Sequence, residues 1–366
     1  MSPPWSRRCA VAEPSRRVAI VLFNLGGPDR PEAIRPFLLN LFSDPAILRV
    51  PFFVRPFLAR RIARARLKPA TDNYALLGGR SPLLELTRQQ AAALEAALPE
   101  LTAKCFIAMR YWHPFSDAAA QAVRAWKPDE IVLLPLYPQY STTTTGSSLS
   151  AWREAAARAG LVARTTTLCC YPTAPAFAAA TAAIVQQAYD RARAEVPAGT
   201  RLRVLFSAHG LPEAIVRRGD PYQWQVEQTV SAVLAAWPDA PADWVICYQS
   251  RATPQQWLEP STDMEIERAG REGLAVLVVP IAFVSEHSET LVELDIEYRH
   301  LAERSGVAGY FRVPAQNADA GFIDALAGLV RAGLARGPGL CSYAGGRICP
   351  PEHRDCPFTR RPAELV

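Results

Sequence analysis

The sequence predicts an α/β fold of two similar Rossmann-like lobes, each a four-stranded parallel sheet flanked by helices. Three observations carry that expectation. Short apolar, β-branched runs alternate with helix-period segments along the chain. The alternation is βαβ throughout, and such connections cover both faces of a parallel sheet with helices. The two halves also rhyme: VLLPLYPQYSTTTTGSS in the first and VLVVPIAFVSEHSET in the second each run strand, proline, aromatic, then a hydroxyl-rich helix start. Duplication of one lobe, leaving a cleft between the copies, accounts for the rhyme.

Residues 1–17 set Arg7, Arg8, Arg16 and Arg17 against Glu13 among prolines, with no apolar core of the signal-peptide type, and read as a flexible tail. Strands are predicted at 18–24, 104–109, 130–136 and 161–168 in a first lobe of residues 18–168. Four more, at 202–207, 244–248, 274–280 and 307–313, build a second lobe of residues 169–316. Helical periodicity falls at 82–98, 116–126, 147–159, 173–195, 222–237, 287–303 and 318–335. The last of these, within 317–336, is expected to pack back on the first lobe, ahead of a cysteine-containing tail of residues 337–366.

Composition narrows the class. A chain of 366 residues with 49% hydrophobic side chains can build two domains with real cores. The longest apolar run, 274–284, falls well short of the roughly 20 residues that span a bilayer and reads as a buried strand. A net charge of +5 without interleaved aromatic and basic residues gives no reason to expect nucleic acid. Of eight cysteines, Cys9, Cys105, Cys169, Cys170 and Cys247 are scattered, whereas Cys341, Cys349 and Cys356 share the tail. Without a secretion signal, that clustering suggests metal ligation rather than disulfides, and Cys105 and Cys247, inside apolar strands, read as buried structural thiols.

Several segments can carry chemistry. In FVSEHSETLVELDIEY (283–298), Glu289, Glu293 and Glu297 recur every fourth residue, which on a helix stacks three carboxylates along one face. Such like-charge pairs cost a helix about a few tenths of a kcal/mol each. Next to His287 the row therefore calls for a cation or a path for protons, unless it is a solvated acidic face. Its place after a strand favours the site, because open α/β sheets bind ligands at strand C-termini. LFSAHGLP (205–212) puts His209 at another such edge, as a cleft residue or a structural hydrogen-bonding group. NLGGPD (24–29) lacks the full phosphate-binding spacing and reads as a tight turn. MRYWHP (109–114) places Arg110 and Tyr111 at the same rim, suited to a carboxylate or to a local salt bridge. The hydroxyl row of STTTTGSSLSAW (141–152) caps a helix and offers donors to an anionic group.

Taken in order, NLGGPD, SPLLELT, MRYWHP, LYPQYSTTTTGSS, FSAHGLP, CYQSR, PSTD and PIAFVSEHSETLVELDIEY resemble the ferrochelatase family across residues 18–336. Its members insert Fe2+ into protoporphyrin IX in the last step of protohaem synthesis, so the resemblance implies a chelatase-like fold with Fe2+ and protoporphyrin IX as partners. It makes His209 the group at the pyrrole nitrogens and proton acceptor, and Glu289 its opposing carboxylate across the macrocycle. Both are implied to bind iron. Glu293 and Glu297 continue as an acidic path, with His287 as the family's second histidine. Porphyrin contacts are implied for Leu25, Arg110, Tyr111, Tyr140 and Ser141, under a lip formed by residues 35–68.

That lip stands out by composition too: between Arg35 and Lys68, eight basic residues face the single acid Asp44 among many phenylalanines and leucines. An apolar surface with cationic edges suits a membrane interface, the alternative being a packed helix pair under a loop. A cytoplasmic protein in peripheral membrane contact is expected. Two departures from the family are visible. Leu25 stands where relatives can carry a methionine or tyrosine, and Thr142 where animal relatives carry a cluster-ligating cysteine.

Some ferrochelatases hold a [2Fe-2S] cluster on C-terminal cysteines. The resemblance thus implies Cys341, Cys349 and Cys356 as three ligands, and Cys169 or Cys170, at the end of a predicted strand, as the fourth. Zinc, or a tail with free thiols, is the alternative. For the whole protein the alternatives are a chelatase for another tetrapyrrole or divalent metal, and a non-catalytic porphyrin or haem carrier. A nucleotide or sugar-phosphate enzyme is disfavoured by the missing glycine fingerprint.

Overall fold

The computed structural model describes residues 16–251 and 255–359; of the tail expected at 1–17, residues 1–15 lie outside the described residues. Four parallel strands, β1 (Arg17–Asn24), β2 (Thr102–Met109), β3 (Glu130–Pro135) and β4 (Arg164–Leu168), form the first sheet in the order β2-β1-β3-β4. The second sheet runs β6-β5-β7-β8 from β5 (Leu202–His209), β6 (Trp244–Gln249), β7 (Ala275–Pro280) and β8 (Gly309–Arg312), again all parallel.

The central strands are buried along their length, as strands covered on both faces must be. In β1, Val18, Ile20 and Leu22 enter one core with Leu94, Phe177, Phe322 and Leu326, while Ala19, Val21 and Phe23 enter another with Val123, Leu149 and Trp152. The period of two in a strand makes that division. α6 (Pro175–Glu195), which follows the boundary expected at 168/169, serves both lobes, with Phe177 in the first core and Val185 and Ala188 in the second. α11 (Ala320–Arg336) buries Phe322, Leu326 and Val330 in the first lobe's core.

Two features depart from expectation. The first sheet has a fifth strand, β9 (Gly339–Cys341), paired parallel with β4 so that Thr166 faces Gly339. The tail is therefore part of the first lobe rather than a polar loop, and Cys341, Cys349 and Cys356 are only 4%, 5% and 2% exposed. The lip, where periodicity predicted no helix and a packed helix pair was the alternative reading, contains two helices, α1 (Ile34–Ser43) and α2 (Arg55–Leu76). α2 escapes sequence reading because arginines surround it on every side and Pro69 lies in its interior. Among the described residues no helix is long and apolar enough to cross a membrane.

Candidate active site

His209 is the last residue of β5, and the residues that follow β7 lead into a π-helix over Glu289–Glu297. Both lie at strand C-terminal edges of the second lobe. π-Helical turns are rare and concentrate at functional sites. The helix continues as α10 (Tyr298–Arg304), and Arg312 braces it from β8 through Asp295, at 2.6 Å, and Glu286, at 2.7 Å.

His209 Nδ1 lies 2.8 Å from Glu289 Oε2. That distance corrects the expectation that the two oppose each other across a macrocycle, because directly bonded side chains leave no room for a ring between them. They form one acid–base pair on one side of the site, with side chains 37% and 29% exposed. Burial pushes the Glu289 carboxyl up, but the charge and hydrogen bond of His209, aided by His287, outweigh it and hold the group at about 2. Burial likewise lowers His209, and the charge and hydrogen bond of Glu289 outweigh it, so the imidazole is raised.

His287 Nδ1 accepts a hydrogen bond of 3.0 Å from the Glu289 backbone N–H, and burial lowers its basicity. Phe283 stands edge-on to both imidazoles, its ring centroid 4.7 Å from His287 and 6.4 Å from His209. Glu293 is next along the row. Gln249 Nε2 donates to it at 3.0 Å, the Ser250 N–H at 2.9 Å, the Tyr298 hydroxyl at 3.2 Å, and the Ser250 hydroxyl also donates to it. Ser250 reaches it twice by adopting a left-handed backbone at φ 66°, unusual for a residue with a side chain. Burial, then the charge of Glu289, raises Glu293 to about 7. Glu297 is exposed at the end of the row.

The pH dependence follows. Were His209 to act as a base it would work only when deprotonated, and the rate would then rise with pH through its raised pKa. Because the Glu293 charge also raises His209, Glu293→Gln is expected to move that acid limb to lower pH while costing less rate than loss of Glu289. A pH profile of kcat checks it; an unmoved limb would contradict the coupling.

The expected porphyrin contacts divide. Leu25 packs in the lip cluster with Phe37, Leu38 and Tyr74. Tyr111 is fully buried, its hydroxyl donating to Asp44 at 2.7 Å, and Arg110 pairs with the same carboxylate at 2.8 Å. The lone acid of the lip is thus one of its ties to the first lobe, beside Asn40, whose Nδ2 donates to the Tyr111 carbonyl at 3.1 Å. Tyr140 and Ser141 are also buried, at 2% and 1%, and their hydrogen bonds run to Gln225 and Asp220 of the second lobe. A cavity of about 770 Å3 borders Arg110, Arg49, His113 and Ser147, but none of His209, Glu289 and Glu293 lines it. Tyr74 of α2, raised to about 12 by burial, approaches the start of the π-helix at Ser288, 3.5 Å away. Sequence reading missed Phe283, Gln249, Ser250, Tyr298 and Asp44; Gln249 and Ser250 lay in the CYQSR segment, which was the available signal.

The cysteines come from three segments. Cys169 and Cys170 have sulfurs 3.5 Å apart, and Cys170 and Cys349 receive Gln225 Nε2 at 3.6 and 3.1 Å. The hydrogen bond between the Cys349 and Cys356 thiols lowers Cys356 and, with burial, raises Cys349, while burial pushes Cys169 up. Among the described residues no three histidine, cysteine or acidic side chains form a preset metal cage.

A family model described as Ferrochelatase matches residues 17–334. The ferrochelatase of Caulobacter vibrioides is 52% identical over 347 residues, spanning 94% of this chain and 98% of its own length. That of Phenylobacterium zucineum is 53% identical over 341 residues, spanning 90% and 97%. Among solved structures, SirB from Bacillus subtilis with Fe3+ covers 88% of this chain and 96% of its own, with a TM-score of 0.50 at 12% identity, a likeness of fold alone.

Proposed function

Since the chain belongs to the ferrochelatase family, we infer that it inserts Fe2+ into protoporphyrin IX to form protohaem, and we propose that His209 and Glu289 carry the chemistry. The observation that supports these roles is the 2.8 Å bond between them. Metalation must remove two pyrrole N–H protons and replace water on the iron. With Nδ1 donating to Glu289, His209 presents Nε2 as the proton acceptor, and the carboxylate stabilises the imidazolium that forms. Imidazole and carboxylate also suit the borderline Fe2+ ion as it approaches. Glu293, balanced near neutral pH, takes protons onward, and exposed Glu297 passes them to water. Metal insertion by the parent and by His209 and Glu289 variants, followed by absorbance, tests the assignment.

We further propose peripheral membrane contact through the lip, on the cytoplasmic side. Its tip exposes Phe52 at 79%, Phe53 at 63% and Phe57 at 75%, and Arg60, Arg61, Arg64 and Lys68 are exposed beside them. Aromatic rings can enter the interface while the cations meet anionic headgroups. The protein is expected to float with anionic liposomes at low salt and less at high salt, and serine at all three phenylalanines to abolish flotation. Failure of the parent to float at low salt would contradict the proposal.

The thiols fit a [2Fe-2S] cluster by donor chemistry: they are buried, come from segments that meet, and two of them, Cys170 and Cys349, receive an amide donor from Gln225. Cys341, Cys349, Cys356 and Cys169 or Cys170 would hold it. When bound, it supplies a one-electron centre and a cross-link between the tail and the body. Protein purified without oxygen is expected to be red-brown, with visible bands that Cys349→Ser erases. A colourless preparation without iron or sulfide would reject the cluster, and zinc in its place would support the alternative.

A further inference from the structure

Asp220 is fully buried, in a segment 11 residues beyond His209, and takes no part in the chemistry described above. A buried carboxylate is costly unless its oxygens are satisfied. Here Oδ2 accepts from the Ser141 hydroxyl at 3.0 Å, the Thr142 N–H at 2.8 Å and the Thr142 hydroxyl at 2.7 Å, all from the first lobe. Its Oδ1 accepts from the Tyr222 N–H at 3.1 Å, at the start of α8 (Tyr222–Ala235). Two more fully buried side chains of α8 extend the seam. Gln225 Oε1 accepts from the Tyr140 N–H at 2.7 Å, and the Thr229 hydroxyl oxygen accepts from Gln139 Nε2 at 3.0 Å.

The seam reaches both sides of the site. The lip's Arg49 donates to the Thr142 hydroxyl oxygen at 2.8 Å, so the same threonine joins the lip to Asp220. On the other side, Tyr222 is buried against the His209 backbone and within the field of Glu289. We propose that Asp220 is a positioning residue for metal insertion: it latches the lip-bearing first lobe to the segment that carries His209, and so fixes the wall that holds the porphyrin relative to the base that deprotonates it. The inference rests on the functional reading above. A displacement of about 1 Å between such groups can cost about a hundredfold in rate.

The full-length protein is assayed with porphyrin and Fe2+ varied separately. Asp220→Asn replaces an acceptor by an amide facing three donors. It is expected to lower kcat by about tenfold or more and to raise KM for porphyrin, leaving KM for the metal unchanged. Thr142→Val is expected to move the same two parameters by less, Thr142→Ser to restore them, and Asp220→Asn with Thr142→Val to be non-additive. Parent values of kcat and porphyrin KM in Asp220→Asn would overturn the proposal, as would a fall in thermal stability with both kinetic parameters kept. If Asp220→Asn does not fold, the Thr142 pair decides: Thr142→Val at parent values, or Thr142→Ser as impaired as Thr142→Val, overturns it. An inactive parent fails the functional reading instead, and in that case porphyrin affinity, measured by fluorescence quenching, must still fall in Thr142→Val for the latch to stand.

Discussion

His209→Ala is expected to abolish metal insertion while porphyrin binding stays close to the parent's. The substitution removes the proton acceptor at the end of β5 but leaves Phe283, the aromatic ring that stands edge-on to it. It also leaves Glu289 without the imidazole that holds it near 2, so burial pushes that carboxyl up and weakens it as a metal ligand. General-base contributions run to about 10²–10⁴, and a loss of that order in kcat is expected. Turnover within about tenfold of the parent would remove His209 from its role. Fluorescence quenching of the porphyrin separates loss of chemistry from loss of binding.

Glu289→Gln is expected to cost a similar factor with the shape of the site kept. The amide removes the charge that raises His209, so the imidazole becomes a weaker base. It can also turn its NH2 toward Nδ1, placing the ring proton on Nε2, the wrong tautomer for accepting another; an amide opposite a catalytic histidine has cost about 10⁴ in another enzyme by that route. Two readouts distinguish this from simple damage: kcat falls by about 10²–10⁴, and the acid limb of the residual activity moves to lower pH. A variant with the parent's kcat, or with an unmoved limb, would show that the pair does not work as one unit.

Much of the fold is legible because burial on both faces leaves its mark in single segments. β1 and β7 are nearly uninterrupted apolar runs, and the chain has no other way to hide them. β9 was not legible, since its three residues, of which the first is Gly339, are too short a run to signal a strand and hold that form by pairing with β4, far away in the chain. The row Glu289, Glu293, Glu297 signalled a site, yet a four-residue spacing keeps side chains near one face of an α- or a π-helix and so cannot tell the two apart. His209 and Glu289 are 80 residues apart, and their direct bond is a tertiary event that no local pattern records. Tyr140 and Ser141 were placed by their motif near the porphyrin, but their hydrogen bonds are set by the interlobe seam. Asp44 was visible as the odd acid in a basic stretch, and its purpose emerged only with Arg110 and Tyr111 around it.

The most direct test of the account is anaerobic incubation of the purified protein with Fe2+ and, in parallel, protoporphyrin IX, coproporphyrin and other tetrapyrroles, following absorbance against His209→Ala. The expected result is conversion of protoporphyrin IX to protohaem by the parent alone, faster than any other tetrapyrrole is metalated. Porphyrin that binds but is metalated no faster than in the variant would make the protein a carrier, and preferred turnover of another tetrapyrrole would reassign its substrate; either would contradict the account.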